Sequence, residues 1–211
     1  MTLLATWSAQ TSTCSLTTVV PDGCRDLIIK TVEGAPPHWF VSPLFDHAKS
    51  ILVEEHSVLM GFRFKAGVEI AEAELIDFIK QKPSYPDDVK HYLDDFTRLD
   101  CAVEEALDCL ASDVLSIKEA SLRLGVSSRT LQRLVLAKTG RTPSYWFQLA
   151  RARKAARCIS GSVGFSEAAE QYGFSDQAHM NREFRRWFRA TPSEILKSPT
   201  IIEQLHDTGY G

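Results

Sequence analysis

An internal duplication constrains this chain more than any other feature. S-I-K-E-A-S-L-R-L-G-V-S, Ser116 to Ser127, aligns on G-F-S-E-A-A-E-Q-Y-G-F-S, Gly164 to Ser175, at an offset of 48 residues. Ser121 falls on Ala169, Gly125 on Gly173, Val126 on Phe174 and Ser127 on Ser175. Past that point the second copy holds one extra residue. Arg133 then falls on Arg182, Val135 on Phe184, Thr142 on Thr191 and Pro143 on Pro192. A repeat of this kind marks one supersecondary unit used twice.

Each copy spells helix, tight turn, helix. Ser116 and Gly164–Ser166 are helix starts, with Glu119 and Glu167 in the first turns, where a carboxylate favours the helix dipole. Gly125 and Gly173 end the first helices, at a position that takes a left-handed conformation. Ser121 and Ala169 are small enough to let two helices approach closely. Ser127 and Ser175 are expected to cap the second helices. Leu131, Leu134 and Val135 in copy one, and Met180, Phe184, Trp187 and Phe188 in copy two, follow helical spacing and are expected to face a core. The opposite faces carry Arg129, Gln132 and Arg133, then Gln177, His179, Asn181, Arg182 and Arg185. Arg, Gln and Asn bond base edges in the major groove, and neighbouring cations neutralise phosphates. The pattern predicts a helix-turn-helix used twice. Between the copies, Pro143 to Ile159 reads as a linker helix of roughly 22 Å that can hold two recognition helices apart.

Charge agrees with that division. The net charge is −3, but residues 1–110 hold 9 Lys/Arg against 18 Asp/Glu, and residues 111–211 hold 15 against 9. A basic half joined to an acidic half points the second half at a polyanion. The chain is 44% hydrophobic, enough to bury a core. No signal peptide and no membrane span is expected. The five cysteines have no paired spacing, which suggests reduced thiols in a cytoplasm.

The stretch G-F-S-D-Q-A-H-M-N-R-E-F-R-R-W-F-R-A-T-P-S-E, together with the first copy, the linker helix and the Thr-Pro that ends each copy, resembles the DNA-binding domain of the AraC/XylS family of bacterial transcription regulators. The resemblance covers about Leu110 to Lys197. It implies base contacts from Ser127, Arg129, Gln132 and Arg133 in the first module, and from Gln177, Ala178, His179, Asn181 and Arg182 in the second. It implies phosphate contacts from Arg141 and Arg185. It departs from the family pattern at Val135, where the family usually has Phe, and at Leu136 and Ala137, which replace polar residues; copy one is therefore expected either to pack differently or to expose a small apolar patch.

The acidic half is read as β-rich. Ser15 to Val32 forms strand, tight turn and strand around Pro21-Asp22-Gly23. Further strands are expected over His38–Pro43, between Lys49 and Glu55, and over Ser57–Val68, in a cupin- or jelly-roll-like arrangement. Helices follow at Ile70–Lys80 and Val89–Leu110, the second from the recurrence of Tyr92, Phe96, Leu99, Val103 and Leu107. P-D-G-C-R-D-L-I and G-F-R-F-K-A-G resemble the short N-terminal domain of one subgroup of these regulators. The expected fold class is α+β: a β-rich regulatory domain over 1–85, a connecting and dimerising helix over 86–110, a DNA-binding domain over 111–198 and a tail over 199–211.

The resemblance implies a double-stranded DNA operator and RNA polymerase as partners, with a small-molecule effector, a homodimer or both through the N-terminal domain. No cofactor, no metal site and no catalytic residue is expected. Cys14, Cys24, His38, His47 and His56 lack ligand spacing. Asp22 and Asp26 flank Cys24 and would raise its thiol pKa, which disfavours a nucleophile. Two alternatives stay open: an enzyme fused to a DNA-targeting domain, and an interaction protein whose helix-turn-helix units bind protein.

Overall fold

The computed structural model describes residues 1–81, 86–161 and 163–211. The boundary expected at residue 85 lies outside them. The chain opens with six strands: β1 (Leu3–Gln10), β2 (Ser15–Val19), β3 (Asp26–Val32), β4 (His38–Val41), β5 (Lys49–Val53) and β6 (Ser57–Phe64). Four of them form an antiparallel sheet in the order β1-β6-β3-β4, and β2 pairs with β5 in a separate ribbon. The strand, turn and strand expected over Ser15–Val32 are present, but β2 and β3 do not pair with each other. Gly23 turns the chain at φ +73°, and the Tyr210 N–H donates to Asp22 O at 2.8 Å. Another segment therefore occupies the inside of this turn. β1 had no counterpart in the sequence reading.

One face of the sheet contributes Leu27, Val41, Phe62 and Phe64, all buried, to a first core. Leu75 and Ile79 of α1 (Glu72–Gln81) close it, with Val89 and Leu93. Here the expected continuous helix over Val89–Leu110 is corrected. The segment breaks into α2 (Pro86–Val89), α3 (Leu93–Phe96), a short strand β8 (Thr97–Arg98) paired with β7 (Glu69–Ile70), and α4 (Cys101–Ala111). Thr97 is extended, and its hydroxyl donates to Leu93 O at 2.7 Å. The Asp100 carboxylate accepts from Ala102 N at 2.9 Å and starts a new helix. The periodicity of Tyr92 to Leu107 thus joined two elements that serve different cores. Leu93 packs on the sheet, whereas Val103 and Leu107 pack on the helical half.

That half consists of α4, α5 (Ile117–Arg123), α6 (Ser128–Thr139), α7 (Pro143–Ser160), α8 (Phe165–Gln171), α9 (Gln177–Phe188), α10 (Pro192–Ile195) and α11 (Pro199–His206). Thr142 caps α7 by accepting from Tyr145 N, and Pro143 takes its first position, where no N–H is needed. At 18 residues α7 is about 27 Å long. It is more than a spacer. Trp146, Leu149, Ala152, Ala155, Ala156 and Ile159 are buried in one core that both helix-turn-helix units share. The small residues along α7 let its neighbours pack close to its backbone.

Residues 199–211 were expected as a tail, and they fold back as a clasp. Pro199 opens α11, and Ile201 and Leu205 are buried. The Gln204 amide accepts from Val20 N at 2.9 Å and donates to Thr18 O at 2.6 Å. Tyr210 stacks edge-on against Trp146 at 4.9 Å, and its hydroxyl donates to Leu107 O at 3.1 Å. Arg63 reaches across from β6 to Thr208 O at 2.9 Å. Beside this clasp, Arg153 of α7 is fully buried and donates to Pro21 O at 3.3 Å. Burial draws its pKa down to about 10, against the upward pull of Asp22.

Candidate nucleic-acid interface

In the first module Ser116 caps α5 by accepting from Glu119 N at 3.1 Å. Gly125 then turns the chain at φ +66°, and Ser127 caps α6 by accepting from Thr130 N at 3.1 Å. Ser121, 2% exposed, lies 3.0 Å from Ser128 through the two hydroxyls, which is the close helix approach expected of a small residue there. Leu131 and Val135 are buried, and Leu134 is half-buried. Leu136 is 44% exposed, so the apolar patch expected beside it exists, while Val135 fills the core.

The second module differs at its cap. Gly173 turns at φ +69° and Ala169 is buried at the helix crossing. The cap of α9 is Asp176, whose carboxylate accepts from His179 N at 2.6 Å, and not Ser175 as expected. The extra residue lies between the glycine and the cap, so Asp176 is the counterpart of Ser127. A carboxylate also suits the positive end of the helix better than a hydroxyl does. Met180, Phe184, Trp187 and Phe188 are all buried.

The opposite faces are open. Ser127, Arg129, Gln132 and Arg133 are exposed on α6, and Gln177, Ala178, Arg182 and Arg185 are exposed on α9. Among the described residues, Arg129, Arg133, Arg182 and Arg185 have no hydrogen-bond or ion-pair partner within the protein. His179 and Asn181 are half-buried. Asn181 Oδ1 is buried with no hydrogen-bond partner, and Ser175 holds the His179 ring, a contact that sequence reasoning missed. Arg186 turns sideways to Gln148 at 2.7 Å and lies over the Trp187 ring. Arg151 sits over the Phe174 ring at 4.4 Å, and burial lowers its pKa. It holds the turn of the second module by donating to Gly173 O at 3.2 Å.

Arg141 is engaged elsewhere. Its guanidinium lies 2.9 Å from Asp46 and over the Tyr145 ring at 5.5 Å. Asp46 belongs to the loop between β4 and β5, and that loop touches both modules. Phe45 O accepts from the Tyr145 hydroxyl at 3.1 Å, and Ala48 N donates to Trp187 O at 2.7 Å, near the end of α9. Lys138, at the end of α6, pairs with Glu69 at 3.1 Å. No signal in the sequence could link Asp46 to a residue 95 positions away.

Cys24 is buried, and burial first, then Asp22, pushes its thiol well above the ordinary range. It stays protonated at neutral pH. All five cysteines are free. Among the described residues no group of three or more His, Cys, Asp or Glu could hold a metal ion, and no helix is long and apolar enough to cross a membrane.

A helix-turn-helix domain family matches residues 120–198, from within α5 of the first module to just past α10. Residues 120–198 are an AraC-type helix-turn-helix domain. Relatives of the AraC-type domain include the HTH-type transcriptional regulator RipA of Corynebacterium glutamicum, 37% identical over 92 residues, 44% of this chain and 28% of that protein. Histidine kinase P4 of Formosa agariphila is 30% identical over 88 residues, 41% of this chain and 6% of its own. The chain thus spans well under a third of the curated relatives it matches. Over the whole chain the fold is similar to that of ToxT from Vibrio cholerae, with TM-score 0.52, 11% identity, and 93% of this chain and 98% of that one covered. A β-rich region followed by a helical domain is common to both.

Proposed function

We propose that this chain is a sequence-specific regulator of transcription that lays α6 and α9 into successive major grooves of one operator duplex. The observation that carries the reading is the equivalent placement of Arg133 and Arg182, exposed on the same face of the two modules and without protein partners. Ser127, Arg129 and Gln132, with Gln177, Ala178, His179 and Asn181, complete the base-reading faces, and Arg185 neutralises phosphate. The test is selection of bound sites from random duplexes by the full chain. Two half-sites about one helical turn apart are expected. A single half-site, or binding that ignores salt, overturns the reading.

The β-rich half is proposed as the regulatory domain. A cavity of about 580 Å³ lies between it and the AraC-type domain, and its lining includes the apolar Leu44, Phe64 and Trp146 and the cationic Arg25, Lys138 and Arg141. This lining suits a small effector with an apolar body and an anionic group. Such a ligand would compete with Glu69 for Lys138 and with Asp46 for Arg141, and would loosen the loop between β4 and β5 from both modules. A ToxT structure of the same fold is described with a bound naphthalenyl butenoic acid. A screen of small carboxylates by thermal shift tests the site: a ligand whose shift disappears in Lys138→Ala supports it, and a shift unchanged by that variant places the ligand elsewhere. RNA polymerase as a partner, and a homodimer formed through the same half, belong to this proposal. Sedimentation of the full chain with and without operator tests the dimer.

A further inference from the structure

We propose that the extra residue of the second module, Ser175, is a positioning residue. It fixes the tautomer of His179 so that α9 presents an Nε2–H donor to a base-edge acceptor, the N7 and O6 edge of a guanine. This inference rests on the proposed DNA-binding function and adds a base preference to it.

The Ser175 backbone N–H points at His179 Nδ1 at 3.2 Å. An amide nitrogen can only donate, so Nδ1 carries a lone pair, and in the neutral ring the proton sits on Nε2. The Ser175 hydroxyl lies 2.9 Å from the same Nδ1 and donates to it as well. Phe174, buried, meets the imidazole edge to face at 5.5 Å and 86°. The ring is therefore held on its Nδ1 side and on one face, while Nε2, across the ring, has no partner among the described residues.

His179 stands three residues past the Asp176 cap, in the first turn of α9, the part of a recognition helix that meets base edges. The counterpart in the first module, three residues past the Ser127 cap, is Thr130. Its hydroxyl is 2.9 Å from the Ser127 hydroxyl and is tied to its own cap. The first module has no residue between the valine after its glycine and its cap, so it cannot build the same bracket. The insertion thus gives the two modules different chemistry at one equivalent position. A fixed donor favours guanine, which offers two adjacent acceptors, and disfavours cytosine, whose N4 is itself a donor.

The test uses the full chain. Long-range proton–nitrogen NMR at alkaline pH, where an imidazole is neutral, should show Nε2 of His179 protonated and Nδ1 bare, and Ser175→Ala should raise the share of the other tautomer. In site selection, one position under α9 should prefer guanine. His179→Ala should lower that preference about tenfold, and His179→Gln should relax it to accept adenine. At that position a guanine analogue lacking N7 or one lacking O6 should weaken the native chain, with no further loss in His179→Ala. An Nδ1–H tautomer, or a base profile identical in the native chain and both His179 variants, overturns the proposal. Salt-dependent duplex binding that persists in that case leaves the wider DNA-binding reading standing, whereas its absence from the native chain overturns that reading too.

Discussion

The guanidinium of Arg141, just past the first recognition helix, lies 2.9 Å from the Asp46 carboxylate on a loop of the β-rich half. A residue that the family resemblance implies would meet a DNA phosphate is held by an acidic group of its own chain. Both side chains are partly exposed, so the pair contributes under about 1 kcal/mol to stability. Asp46→Asn should free Arg141 and tighten duplex binding about two- to fivefold at low salt, an advantage that shrinks as salt rises. Titration of one fluorescent duplex with both proteins decides it. Equal affinities would mean that Arg141 does not reach DNA.

Arg133→Ala and Arg182→Ala should each cost about 1–3 kcal/mol at a selected site and flatten base preference at one position. Arg185→Ala should weaken all sequences alike and reduce the salt slope by about one unit. Binding isotherms on selected and scrambled duplexes at several salt concentrations separate the two behaviours.

Trp187 is fully buried, meets Tyr145 edge-on at 5.3 Å and donates from its indole to Glu183 at 3.2 Å. Trp187→Ala should destabilise the helical half by about 3–5 kcal/mol, because the emptied volume sits where α9 packs on α7. Urea unfolding followed by circular dichroism measures it, and a midpoint that hardly moves would contradict the packing described.

The helical half should also lose stability in acid. Arg123 holds Asp113 below its usual range, Leu115 N–H does the same for Glu119, and Thr191 N–H does so for Glu194. A carboxylate with a depressed folded-state pKa contributes stability that is present above the ordinary range and lost as pH falls through the depressed value. Melting temperatures should therefore fall as pH drops below about 4.5. Glu194→Gln should flatten part of that fall. Asp22 acts in the opposite sense, because burial raises its pKa and its contribution fades as pH rises.

The helical half was legible because its signals are local and stated twice. Ser116, Gly125, Ser127 and Pro143 each act within a few residues, and the repeat confirmed their roles. The second cap was misread because an insertion moved it one place, from Ser175 to Asp176, although both residues cap helices well. The break at Thr97 to Asp100 was hidden because Phe96, Leu99 and Val103 keep a helical spacing across it by chance. Contacts across the chain left no trace in the sequence. Nothing near Asp46 points to Arg141, and nothing near Tyr210 points to Trp146 or Leu107.

The placement of α7 inside a common core has a consequence for how such a domain can evolve. A segment holding only one of the two repeats would leave half the girth of that helix, with its alanines and Trp146, open to water. Neither repeat is therefore expected to fold as a free-standing cassette, although each looks complete in sequence. The duplication repeated a helix-turn-helix, and its two copies are held by one common core.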